Sequence, residues 1–318
     1  MTTAVLSATA GTGRLAAQDP SPEAWLGSTL GLDAATLERA RTGRPATEIL
    51  EADPRTLAVA GVLRMDRPPR LPVPGRGWTL LGGPTMDGPV LLDDPPSPDA
   101  AALLDLPASD VADLEGCRPT DCRLKAPRDA LPALARGGGD ARRAFRALVQ
   151  DLARRYRSGE ALPAFADKPE PVAPGRAWSA LRAQAPELAR YGAARTELAY
   201  APAPAGSVAE TLVLRRERFG LRPLVTLDHV SELRPGAERP LIVLQRQVYA
   251  NHYFEASAQV VALEATDAGT WIVLVRRHRL DDVVGLVERR LIEAQVAGYV
   301  ERQLGALVER LDSGEDRR

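Results

Sequence analysis

The stretch "PLIVLQRQVYANHYFEASAQVVALEA", residues 240–265, decides how the fold is read. Its side chains alternate with a period of two, the pattern of a strand with one face turned inward. From Val248 the even positions are Val248, Ala250, His252, Phe254, Ala256, Ala258, Val260 and Ala262, while the odd ones begin Tyr249, Asn251, Tyr253, Glu255, Ser257 and Gln259. The even face is the more apolar, which sets His252 among small residues on the inward side. Tyr249 and Tyr253 then fall on the opposite face, covering the sheet. A run of 26 residues exceeds an ordinary strand, so a bend or bulge is expected near Asn251 or Ser257.

The same β texture surrounds this run. "ETLVLRRERFG" and "RPLVTLDHVSEL" precede it and "TWIVLVRRHRL" follows, with turn signals at Gly220, Pro235-Gly236 and Asp267-Ala268-Gly269. After Gly285, Ile292, Val296, Val300, Leu304, Leu307 and Leu311 recur at helical spacing and predict one long amphipathic helix over about 286–312. Upstream, Asp33 reads as the N-cap of a short helix that stops at Gly43, and "TEILEADPRTLAVAGVLRMD" reads as a hairpin turning at Asp53-Pro54. Between Arg67 and Pro98 proline and glycine are dense, and only a short strand around "WTLLGG" is expected. Residues 100–195 turn helical, with Phe145, Leu148, Val149, Leu152 and Tyr156 on one stripe and Pro186 breaking a later helix. The fold class is therefore α+β, an antiparallel sheet with a long C-terminal helix and a large helical insertion.

This order resembles the START-like, or helix-grip, superfamily, over about residues 30–66 and 205–312. That resemblance implies a curved antiparallel sheet wrapped round the C-terminal helix, with a cavity between them for lipids, sterols, polyketides or other apolar molecules; some members are cyclases or hydrolases. "CRPTDCRLK", "ERFGLRPLVTLDHV", "YANHYF" and "RRHRLDDVVG" are also similar to segments of an uncharacterised, often secreted bacterial family. The expected layout is a tail or signal-peptide remnant over 1–27, then one domain over 28–312. Its strands fall at about 46–66 and 208–280, its insertion at about 67–204, and a short tail covers 313–318.

Composition narrows the function. The net charge is −1 and aromatics make up 4% of the chain, so the clustered basic surface and stacking rings of a nucleic-acid binder are not expected. Of 41 basic residues only Lys125 and Lys168 are lysine, as a GC-rich coding bias would produce. No apolar run approaches the ~20 residues of a membrane span. Cys117 and Cys122 stand five apart around a proline, a spacing that reads as a disulfide or as two buried thiols; a disulfide favours a periplasmic or secreted location.

No phosphate loop, nucleophile elbow or dinucleotide fingerprint occurs, and no cofactor is expected; "GTG" at 11–13 and "GRG" at 75–77 lack the strand-to-helix context. His229, His252 and His278 lie in three β segments and would bind a metal only if they converged, which their spacing does not favour. His252 reads as a hydrogen-bonded core residue, a ligand contact or a general acid or base. "RRHRLDDVVG" reads as a solvated, salt-bridged turn or as arginines gripping an anionic head group. The expected function is binding of an apolar or amphiphilic small molecule, with His252, Phe254, Ala256, Ala258, Arg277 and Arg279 as contacts. The alternatives are a hydrolase or cyclase using His252 with Asp228 or Asp281, and a structural protein with a filled core.

Overall fold

A computed structural model describes residues 20–83, 86–191, 207–219 and 222–314. In chain order it runs α1 (Pro22–Ser28), α2 (Ala34–Arg41), β1 (Ala46–Ile49), β2 (Thr56–Met65), a 3-10 helix (Gly77–Leu81), β3 (Met86–Leu91), α3 (Pro98–Leu103), α4 (Ala108–Leu114), α5 (Leu131–Leu134), α6 (Gly138–Arg157), α7 (Pro174–Arg182) and α8 (Pro186–Tyr191). Five long strands follow, β4 (Ser207–Phe219), β5 (Arg222–Leu233), β6 (Leu241–Ala250), β7 (Phe254–Thr266) and β8 (Gly269–Leu280), and then α9 (Leu286–Ser313).

The described strands form one antiparallel sheet in the order β1-β2-β8-β7-β6-β5-β4-β3. The five long strands are a meander, and the hairpin made of β1 and β2 extends it beside β8. One face carries α9. Leu57, Val59, Leu63, Val243, Val261, Leu263, Ile272 and Leu274 meet Val296, Val300, Leu304, Leu307 and Leu311 there in one core. Gly61 is required at this contact, since a Cβ would stand 2.7 Å from Val300 Cγ1. The opposite face is covered by two groups of helices. Trp25, Leu26, Leu37, Trp178, Leu181 and Leu188 cover Ala58, Val62, Ala256, Ala258, Val260 and Val273, and Phe145, Val149, Leu152 and Tyr156 cover Leu212, Leu214, Val225, Leu227 and Tyr249.

The sheet is strongly curved. Four strand spacings separate β4 from β8, roughly 19 Å on a flat sheet at ~4.8 Å each. Yet Glu217 of β4 accepts two hydrogen bonds from Arg276 of β8, at 3.2 and 3.0 Å. Register shifts between Leu227 and Asp228 and between Phe254 and Ala256 supply local bends of the kind bulges produce.

Several expectations change. The run 240–265 is two strands, not one, joined at Asn251–Tyr253, with Tyr253 in the left-handed region at φ 62°. The register shift after Phe254 reverses the faces: Ala250 and Phe254 share the core of α9, whereas Ala256, Ala258, Val260 and Ala262 pack on the other side. Tyr249 does lie under the insertion, with its hydroxyl donating to the Lys125 carbonyl at 2.8 Å. "WTLLGG" is a 3-10 helix, its leading amides at Gly75 and Gly77 held by buried Glu232 at 3.0 and 2.7 Å. β3 was missed because Pro89 interrupts it, which an edge strand tolerates where its missing N–H faces no partner. Pro22–Ser28, assigned to a tail, is a helix that buries Trp25 and Leu26. Residues 1–19 and the turn at Gly220 lie outside the described residues.

Other expectations stand. Asp33 caps α2 by accepting from the Thr36 amide at 2.6 Å, which holds its carboxyl below the usual range. Pro186 separates α7 from α8, and α9 covers Leu286–Ser313 where about 286–312 was expected. Cys117 and Cys122 are disulfide-bonded.

The curvature yields a first prediction. Removing one member of the Arg276–Glu217 pair leaves a buried charge, so Arg276→Met should cost about 3–5 kcal/mol in denaturant unfolding. The Arg276→Met/Glu217→Met double variant should recover most of that loss; additive losses would mean the two side chains are not coupled.

Candidate functional site

On the face toward α9 the apolar rows of the sheet give way to polar ones near the β6–β7 turn. Arg215 and Glu217 of β4, Thr226 and Asp228 of β5, Gln245 and Gln247 of β6, Ser257 and Gln259 of β7, and Arg276 and His278 of β8 are all buried there. Most are tied into networks. Asp228 accepts from Arg215 Nε at 2.7 Å, Thr226 Oγ1 at 2.6 Å and Gln245 Nε2 at 2.5 Å. Ser257 Oγ lies 2.8 Å from His278 Nδ1, and the imidazole stacks on Phe254 with centroids 4.3 Å apart. The Arg276 guanidinium sits 4.4 Å from the Tyr299 ring centroid of α9.

Above Arg276 a cleft of about 80 Å³ opens between sheet and helix, lined by Glu217, Arg218, Arg276, His278, Gln295, Val296, Tyr299 and Arg302. Some buried polar atoms around it find no hydrogen-bond partner among the described residues: Arg276 Nε, Arg215 Nη1 and both amide atoms of Gln259. Buried groups of this kind are normally satisfied by protein groups or by ordered water.

Electrostatics reinforce the picture. Burial would lower the Arg276 pKa, but the Glu217 carboxylate more than offsets it and holds the guanidinium above its usual value. Burial, with Glu217 adding to it, pushes the Tyr299 hydroxyl up to about 12. Burial, helped by Arg276 and Arg215, pushes His278 well below the ordinary histidine value of 6.5, so the imidazole is neutral at pH 7.

The residues singled out from sequence scatter. His252 lies at the turn between β6 and β7, away from α9. Its Nε2 is 3.2 Å from Asp110 Oδ2 and its Nδ1 2.9 Å from the Arg123 carbonyl, so it docks the turn onto α4 and onto the residue that follows the disulfide. Ala256 and Ala258 pack in the cluster that contains Trp178. Arg277 points opposite to Arg276 and is held by both oxygens of buried Glu187, at 2.6 and 3.1 Å. Arg279 bonds Glu255 at 3.0 Å and lines a surface groove with Arg55, Asp281 and Asp282. Asp281 pairs with buried Lys125, and Asp228 belongs to the Arg215 network. Only Phe254 touches a wall of the cleft, through His278.

The three histidines do not converge. His229 is buried on the opposite face beside Tyr156 and Glu210, and among the described residues no group of three or more His, Cys, Asp or Glu is placed to hold a metal. The histidine of the cleft is His278, and a signal for it existed. In "TWIVLVRRHRL" the positions Ile272, Leu274, Arg276 and His278 alternate on one face, so two polar residues continue an apolar row inward.

No family model matches this sequence, and no curated protein shows significant similarity to it.

Neutral His278 makes a pH prediction. Its folded pKa is depressed, so the unfolded chain binds a proton that the native chain refuses as pH falls below about 6.5, and stability drops there by up to about 1.4 kcal/mol per pH unit. Above that pH the group has no effect. His278→Gln should therefore flatten the loss of thermal stability between pH 7.5 and 5 relative to the parent chain. Identical slopes would show that His278 titrates normally.

Proposed function

We propose that this protein binds a small amphiphilic molecule between the sheet and the C-terminal helix, in the manner of helix-grip proteins, with the polar end in the cleft beside Arg276 and His278. The observation that carries the reading is the placing of this buried polar cleft beside an exposed apolar stripe. A volume of about 80 Å³ has room for several water-sized groups, a head group rather than a whole amphiphile. The stripe would take the rest. Leu286, Val287 and Leu291 of α9 are 82%, 77% and 68% exposed, and Val287 and Leu291 lie two turns and one turn before Gln295, on the helix face that reaches the cleft. Exposed apolar rows on a soluble helix mark sites of contact.

A hydrolase reading on the same scaffold rests on the Ser257–His278 contact, and it is the weaker because Ser257 does not line the cleft. The Cys117–Cys122 disulfide supports a periplasmic or secreted location. Among the described residues no helix is long and apolar enough to cross a membrane.

Native mass spectrometry of the protein isolated from its own cells should show one bound amphiphile per chain. Val296→Phe, which fills the cleft, should abolish that mass. Leu291→Glu, on an exposed position, should weaken binding about tenfold without lowering thermal stability. Retention of the ligand by both variants would move the site elsewhere.

A further inference from the structure

Resting on the cleft reading above, we infer that the head group it receives is an anion, a carboxylate or a phosphate, recognised by Arg218 and Arg302 at the mouth and by Arg276 behind them. Three arginines and one glutamate are among the residues that line the cleft, and His278 beside them is neutral. The carboxylate is already used, since both oxygens of Glu217 accept from Arg276. The cleft therefore presents an uncompensated positive charge.

Arg218 and Arg302 are exposed and make no ion pair or hydrogen bond with a described residue. Some exposed arginines of this chain find a carboxylate one helical turn away or across a loop, as Arg154 does with Asp151, Arg143 with Asp140 and Arg118 with Asp121. The two at the mouth come from different elements, β4 and α9, yet reach the same opening. Arginines drawn from two independent elements to line one cleft can clamp a carboxylate or phosphate through several N–H donors.

Deeper in, the unsatisfied groups point the same way. The Nε–H of Arg276, a cleft residue, and the Nη1 of Arg215 behind it are buried donors without acceptors among the described residues, beside the Gln259 amide, whose donor and acceptor are both without partners there. An acceptor-only head group satisfies such donors, whereas an ammonium would add a fourth cation to three. A neutral sugar or glycerol head would leave the net charge standing.

The test is calorimetric titration of the full chain with decanoate, decyl phosphate, decyl glucoside and decyltrimethylammonium, each below its micellar concentration, and with acetate and inorganic phosphate as chainless anions. The two anionic amphiphiles should bind at least about tenfold more tightly than the neutral and cationic ones at low ionic strength, and the gap should narrow with added salt. Arg218→Gln/Arg302→Gln should erase most of the gap without lowering thermal stability. Equal affinities for all four heads, or an undiminished gap in the double variant, would overturn the anion assignment and leave an amphiphile cleft standing. Binding of acetate or phosphate as tight as that of their decyl counterparts would support the anion and remove the apolar half of the reading. No saturable binding of any compound would remove the cleft itself.

Discussion

The ion pair between Arg276 and Glu217 is the contact on which the rest of the structure depends. It joins the fifth long strand of the meander to the first across the hollow of the sheet, and the same guanidinium faces Tyr299 of the C-terminal helix. Desolvating two charges is costly and is repaid only with good geometry and further hydrogen bonds. The Glu217 carboxylate answers with two parallel contacts, and in the neighbouring network Asp228 accepts from Arg215 and Gln245. Curvature and polarity are thus one feature: the sheet bends where its inner face is charged.

The next residue in the chain does the equivalent work on the other side. Because side chains alternate along β8, Arg277 points away from α9 and into α8, where buried Glu187 holds it. Arg190 and Glu264 form a second buried pair between the same helix and β7. The dipeptide Arg276-Arg277 therefore clamps both layers to one strand, C-terminal helix on one face and insertion helices on the other.

The cleft follows from how α9 is supported. Its second half rests on aliphatic rows, approaching the backbone at Gly61, and buries Val300, Leu304, Leu307 and Leu311. Its first half passes over the polar rows, where large aliphatic side chains are lacking, and Leu286, Val287 and Leu291 are left facing outward. A helix that is gripped at one end and lies over charged groups at the other leaves space beneath it, and polar residues stand beside Val296 and Tyr299 in the lining of that space.

Much of the fold was legible in the order of residues. Strict alternation marked the long strands, helical spacing marked α6 and α9, and Asp33 and Pro186 set boundaries through backbone chemistry that acts locally. The Cys117–Cys122 bond was legible too, since a short loop brings its ends together regardless of what surrounds it. The site was not. Alternation assigns faces only while the register runs unbroken, and one shift after Phe254 carried Ala256 and Ala258 to the far side while the turn took His252 to Asp110. Which polar residues meet depended on pairings across strands, the longest of them, Glu217 with Arg276, between positions 59 residues apart. Such contacts are produced by the curvature of the assembled sheet, a property no local pattern carries, and so the cleft at Arg276 and His278 was decided only in three dimensions.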